Sequence, residues 1–173
     1  DEAFNYFTKT NDISFKLKSD KIDKNNFLKL INLRNDFFNN SEISKWKQFN
    51  SDKDPIFMVG FPRSGTTLLD TILRSHPDVE VIEEKPLVEK IIYSLNDFTN
   101  GKLENLKNID ESKLNDLRNI YFSKRETFIK NNDSKKLYID KMPLNIIYVG
   151  EILRVFPKAK FIFSLRHPCD CVL

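Results

Sequence analysis

Cysteine is almost missing from this chain: there are two in 173 residues, at positions 169 and 171. Two neighbouring thiols cannot build a disulfide framework, and a two-ligand cluster is not a zinc site. Long apolar runs are missing as well. No stretch approaches the ~20 residues that cross a bilayer, and no signal peptide is visible. The matching expectation is a chain without a membrane span, in a cytoplasmic setting. A charge excess of one sign is also lacking. Lys+Arg 28 against Asp+Glu 25 leaves a net +3, too mild to imply a nucleic-acid partner but compatible with a local anion site. The chain begins at Asp1 instead of Met, so its native N-terminus is expected further upstream.

What is present is ordinary for a soluble globular protein: 40% hydrophobic and 31% charged, too apolar for a disordered chain. The length favours one domain with an appendage. Glycine (four) and proline (seven) are confined to the later part, with every Pro at or beyond Pro55 and every Gly at or beyond Gly60. Residues 1–54 are instead rich in Lys, Asn and Phe, a composition of helices and polar connectors. Phe4 and Phe7 have helical spacing. From about Asp23 to Phe38, the residues Phe27, Leu30, Ile31 and Phe38 form one apolar stripe at helical period, which predicts a surface helix. Ser41 to Asp54 reads as a linker anchored by Trp46.

From Pro55 the pattern becomes α/β. Ile56-Phe57-Met58-Val59 is a short buried-strand run ending in Gly60. Thr66 to Ser75 reads as a helix with Leu68, Leu69, Ile72 and Leu73 inward, stopped by His76-Pro77. Val79–Ile82 is a second strand candidate, and Pro86 suits the first turn of a helix reaching about Phe98. Asp110 is placed to cap a long helix carrying Leu114, Leu117, Tyr121 and Phe128. Leu137-Tyr138-Ile139 and Phe161–Leu165 are further strands, with a helix from Pro143 to about Pro157 between them. The expected fold is α/β: a P-loop-like parallel sheet flanked by helices, behind a helical N-terminal segment. Ligands then belong at the carboxyl ends of the strands. Arg63, Glu84, Lys141 and Arg166 each follow a strand there.

The loop Gly60-Phe61-Pro62-Arg63-Ser64-Gly65-Thr66-Thr67 has the glycine spacing of a phosphate-binding loop between a strand and a helix. Such a loop aims main-chain N–H groups into one concavity, and the helix N-terminus adds positive potential. The lysine of a nucleoside-triphosphate loop is absent, because Thr66 stands in its place. The cation is Arg63, inside the loop. That substitution suits a ligand with less clustered charge than a triphosphate. The plain alternative is a glycine turn into a helix with a solvated Arg.

Residues 55–69, PIFMVGFPRSGTTLL, resemble the 5′-phosphosulfate loop of sulfotransferases that use 3′-phosphoadenosine 5′-phosphosulfate (PAPS). Ser75-His76-Pro77-Asp78-Val79, Asp140-Lys141-Met142-Pro143-Leu144-Asn145 and 156–162, FPKAKFI, continue the likeness. Arg166-His167-Pro168-Cys169-Asp170 resembles the start of the 3′-phosphate motif. The similarity is strongest to bacterial sulfotransferases with tetratricopeptide repeats and to tyrosylprotein sulfotransferases. It implies a division into 1–54, the end of a tetratricopeptide-like region with linker, and 55–173, the N-terminal part of a sulfotransferase domain. It also implies a C-terminal truncation, because the serine that closes the 3′-phosphate motif is expected at position 174.

By this resemblance Arg63, Ser64, Gly65, Thr66 and Thr67 hold the 5′-phosphate, and Arg166 holds the 3′-phosphate. Arg63 also follows charge building on the leaving oxygen, and Lys141 reaches the transferring sulfuryl group without help from a metal. Glu84 corresponds to the base that activates the acceptor, with Glu83 pointing the other way if the strand stays extended. Several plainer roles stay open: a cap on the Pro86 helix for either acid, a surface role for Lys141, and structural roles for His76 and His167. Cys169 and Cys171 read as buried small residues, and Lys124-Arg125 as a solvated face. The implied partners are PAPS, its bisphosphate product and an acceptor that no motif identifies. Two other functions compete: a P-loop kinase or NTPase, with Leu137–Asp140 imitating a Mg²⁺-binding strand, and a non-catalytic interaction module.

Overall fold

The computed structural model of the protein describes residues 2–18, 25–129 and 136–172. They fall into two compact units, residues 1–39 and 40–173. In the first, α1 spans Glu2–Lys18 and α2 spans Asn26–Asn40. The expected start of the second helix at Asp23 lies outside the described residues. Leu30, Ile31 and Phe38 of the apolar stripe are half-buried, while Phe27 is exposed. Phe4 and Phe7 are exposed on α1.

The second unit is built on four parallel strands in the order β2-β3-β1-β4: β1 Ile56–Gly60, β2 Val79–Glu83, β3 Leu137–Lys141 and β4 Lys160–Ser164. Helices α3 (Thr66–Arg74), α4 (Leu87–Thr99), α5 (Glu111–Glu126) and α6 (Val149–Val155) connect them, and α7 covers Pro168–Val172. This is the α/β parallel sheet with flanking helices that the alternation predicts. Among the described residues no helix is long and apolar enough to cross a membrane.

Strand alternation divides the side chains between two faces. Met58, Val81 and Ile139 form a buried cluster on one, with Leu69 and Leu73 of α3 packed against it. Phe57 lies on the other, its ring 5.8 Å from Tyr121 of α5, 6.5 Å from Phe156 and 5.6 Å from Phe161. The inward face of α3 is narrower than the sequence predicts: Leu68 and Ile72 are exposed, and the fully buried positions are Thr66 and Asp70. A helix only nine residues long meets the sheet along one edge. Its polar positions 66, 70 and 74 line that edge at i, i+4 spacing.

Two buried arginines bind the 46–50 segment to this unit. Arg118 donates to the carbonyls of Phe49, Asn50 and Val155. Arg154 donates to those of Lys47, Leu106 and Ile109 and lies over the Trp46 ring. The stretch read as a linker is thus fastened through its main chain, with Trp46 as a secondary anchor.

Candidate active site

Because all four strands are parallel, Gly60, Glu83, Lys141 and Ser164 end together at one edge of the sheet. The chain leaves β1 through Gly60, where a Cβ would come within 2.8 Å of both Ser164 O and Ser64 Oγ. Only glycine fits there. Gly65 precedes α3 at φ 92, a conformation that favours glycine, and no side chain caps the helix. The first N–H groups of α3 therefore have no intrahelical carbonyl to bind. Ser64 is buried, its carbonyl accepts from Ser164 Oγ at 2.9 Å, and its own Oγ has no partner among the described residues. Thr66 is buried, while Thr67 and Arg63 are exposed. An uncapped helix start, an orphaned buried hydroxyl and an exposed guanidinium compose a cradle for an anion.

Arg166 reaches this loop from beyond β4, its Nη1 3.4 Å from the Arg63 carbonyl. It also lies 3.8 Å from Asp170. The loop residues and Arg166 thus meet on the β1–β4 side of the edge.

On the β2–β3 side, Lys141 is entirely buried among acids. Its Nζ lies 2.8 Å from Glu83 Oε1, 3.0 Å from Glu84 Oε1 and 3.9 Å from Asp70 Oδ2. Glu83 and Lys141 are partners in the parallel ladder, so their side chains share the face covered by α3. Alternation alone would send Glu84 to the opposite face. It does not, because Glu84 sits at φ 49, outside the extended region, while its N–H is tied to the Lys141 carbonyl at 2.7 Å. The expectation that Glu83 and Glu84 point apart therefore fails: the backbone turns at Glu84 and both carboxylates converge on one ammonium. Neither carboxylate accepts a bond from the first N–H groups of α4: Glu83 accepts from Lys141 and Arg74, and Glu84 from Lys141. Arg63, at φ 70, is the other non-glycine candidate residue held in the left-handed region. Strain of this kind collects at functional sites.

The charges reinforce one another. Burial pushes the Lys141 ammonium down, but the bonds from Glu83 and Glu84 outweigh it and hold the group above the ordinary lysine range. Glu83 is held below the ordinary carboxylate range by its bond to Lys141, against the opposing effect of burial, with the Lys141 and Arg74 charges adding to the lowering. Arg74 donates to both oxygens of Asp70, one at 2.7 Å, and to Glu83 Oε2 at 3.0 Å.

A sequence model of the family described as "Sulfotransferase family" (Sulfotransfer_3) matches residues 55–173. The chain belongs to the sulfotransferase family. A protein of Aquifex aeolicus (strain VF5), described as uncharacterized, is 37% identical over 125 residues, covering 68% of this chain and 16% of that protein. The protein-tyrosine sulfotransferase of Drosophila melanogaster is 26% identical over 148 residues, covering 84% of this chain and 30% of that protein. Human protein-tyrosine sulfotransferase 1 is 27% identical over 130 residues, covering 72% and 34%. This sulfotransferase chain thus spans between 16% and 34% of the length of these relatives. Among solved structures, the sulfotransferase domain of the Synechococcus PCC 7002 olefin synthase superposes with a TM-score of 0.40 at 22% identity, covering 72% of this chain and 53% of that one.

Several residues at this site escape sequence reasoning. Asp70 and Arg74 are an i, i+4 pair on the helix after the loop, and that spacing was the available signal. Ser164 carries no motif. Both histidines serve as turn acceptors: His76 Nδ1 takes the Asp78 N–H at 3.2 Å and His167 Nδ1 takes that of Cys169 at 3.3 Å. Cys169 is exposed and Cys171 half-buried, against the expectation that both are buried. Of the pair read as a solvated face, Lys124 is exposed, whereas Arg125 is half-buried over the rings of Phe122 and Tyr138.

Proposed function

We propose that this chain carries the donor-binding and base-bearing part of a PAPS-dependent sulfotransferase acting on a hydroxyl or amine acceptor. The observation that carries the reading is the contact of Lys141 Nζ with Glu84 Oε1 at 3.0 Å, on the same sheet edge as the uncapped, arginine-bearing loop. The residues present fit the donor. The N–H groups of α3, the Ser64 and Thr66 hydroxyls, Thr67 and Arg63 would hold the 5′-phosphate, and Arg166 the 3′-phosphate.

The proposed chemistry uses these groups in order. Glu84, more than half exposed, accepts the proton from the acceptor O–H or N–H. The acceptor atom then forms a bond to sulfur as the bond from sulfur to the phosphate oxygen breaks. Lys141 carries positive charge to the sulfuryl oxygens, and Arg63 stabilises the charge that returns to the leaving phosphate. The protein mainly positions and neutralises, as in phosphoryl transfer. Lys141 has no exposed surface in this structure, so its acidic partners must yield part of it when the donor binds.

A nucleoside-triphosphatase reading finds less support. Thr66 replaces the phosphate-binding lysine, and Asp140 faces the aromatic layer, where it accepts from Tyr121. The test is thermal stability with adenosine 3′,5′-bisphosphate in the absence of metal, compared with ATP and Mg²⁺, followed by transfer from labelled PAPS to a panel of acceptors. A ligand at 100 times its Kd should stabilise by about 2.7 kcal/mol. Stabilisation by ATP–Mg²⁺ alone would overturn the reading in favour of a kinase or NTPase. Stabilisation by neither would favour an interaction module.

A further inference from the structure

Glu83 stands between two cations. Its Oε1 accepts from Lys141 at 2.8 Å and its Oε2 from Arg74 at 3.0 Å. Arg74 is clamped in turn by both oxygens of Asp70, and Asp70 Oδ2 lies 3.9 Å from Lys141 Nζ. Lys141, Glu83, Arg74 and Asp70 therefore close a ring of alternating charge, two cations against two carboxylates. Glu84 stands outside it, attached by one bond to Lys141, with 57% of its side chain exposed.

We propose that Asp70 and Arg74 are positioning residues for sulfuryl transfer: they close a charge ring with Glu83 and Lys141 that fixes the Lys141 ammonium independently of Glu84. This rests on the sulfotransferase reading above. A lysine side chain is a flexible point charge, and holding it in one place costs rotamer entropy. Had Glu84 alone held Lys141, protonation of Glu84 during the reaction would release the cation just as charge builds on the leaving phosphate. The ring removes that conflict. Glu83, Arg74 and Asp70 keep the ammonium in place, so Glu84, outside the ring and the more exposed of the two glutamates, is free to take the proton. Thr66, Asp70 and Arg74 follow one another at i, i+4 spacing along a single edge of α3. One short helix thus ties the phosphate loop to the lysine, so the two ends of the transferring group are held by the same rigid element.

The test uses Arg74→Met, Arg74→Lys, Glu83→Gln and the Arg74→Met/Glu83→Gln double variant of the protein. Arg74 is 42% exposed in its side chain, so its replacement spares the core. For each variant, kcat and KM for PAPS are measured from pH 5 to 9, with thermal midpoints in the same buffers. Arg74→Met is expected to lower kcat by about 10- to 100-fold, the scale of a misplaced reacting group, with KM for PAPS little changed. The acid limbs of both kcat and the thermal midpoint are expected to move to higher pH, because Glu83 loses a cation that keeps it ionised. Arg74→Lys should return both limbs toward the parent. The double variant should lose no more kcat than Glu83→Gln alone. Additive losses, unmoved limbs or a loss confined to KM would overturn the ring. If the parent transfers no sulfuryl group from PAPS, the sulfotransferase reading falls instead, and the acid limb of the thermal midpoint still decides whether the ring exists.

Discussion

The Tyr121 hydroxyl donates to Asp140 Oδ2 across 3.2 Å inside the aromatic layer of Phe57, Phe122 and Phe156. The other oxygen, Oδ1, has no partner among the described residues. Asp140 immediately precedes Lys141, yet strand alternation puts the two on opposite faces, one in an apolar layer and the other in a ring of charge.

That burial makes Asp140 a source of pH-dependent stability. Desolvation raises its pKa to about 7, against the lowering effect of the Tyr121 bond. An acid whose folded pKa lies above its unfolded value stabilises the fold fully below the unfolded value, and that stability is lost as pH rises through the folded value. The window therefore runs from about pH 4 to about pH 7. Asp140→Asn removes this contribution, so its thermal midpoint should gain on the parent's as pH rises through the window. A difference between the two that stays constant across the window would show that Asp140 does not titrate this way.

Arg63 and Lys141 should separate in their effects on stability. Arg63 is exposed and has no ion-pair partner among the described residues. Arg63→Ala is expected to lower transfer by about 10²- to 10³-fold while leaving the thermal midpoint unchanged. Lys141→Ala should lower transfer on the same scale and also destabilise by about 1.5–3 kcal/mol, because it strips a buried charge from Glu83, Glu84 and Asp70. Calorimetry beside the transfer assay distinguishes the two patterns.

The adjacent glutamates should differ as well. Glu84→Gln is expected to lower turnover by about 10²- to 10⁴-fold, with bisphosphate affinity little changed. Glu83→Gln should lose less turnover but more stability, since Glu83 bonds both Lys141 and Arg74 whereas Glu84 bonds Lys141 alone. Turnover, bisphosphate titration and thermal midpoints on both variants check this. The reverse order in turnover would make Glu83 the base.

Gly60→Ala tests the loop's entry. The added Cβ would meet the Ser164 carbonyl and Ser64 Oγ, each at 2.8 Å. The carbonyl belongs to β4 and cannot swing aside. The expected cost is about 1–3 kcal/mol, with a parallel loss of bisphosphate affinity as the loop shifts. Thermal midpoints and bisphosphate titration measure both.

What the sequence determined by itself was local in origin. Strands at Ile56, Val79, Leu137 and Phe161 are legible because short apolar runs and their flanking turn residues are read over a few positions. The glycine turn from β1 into α3 is legible because glycine spacing is itself a backbone requirement, and Asp110 is legible as a cap because its bond reaches only to Lys113 N. Only the tertiary structure decided the rest, because those contacts join residues far apart in the chain. Lys141 meets Glu83 across 58 residues, through a register set when β3 enters the sheet between β1 and β2. The turn at Glu84 overrides the alternation that would have parted it from Glu83. Asp70 and Arg74 look like an ordinary helical ion pair until α3 lies across the sheet and delivers them to the same lysine. The connector before β1 reads as a linker anchored by Trp46 alone until Arg118 and Arg154, more than 60 residues away, bind its carbonyls. Periodicity and composition report which face of an element avoids water, but which charge meets which is settled only when the elements are packed.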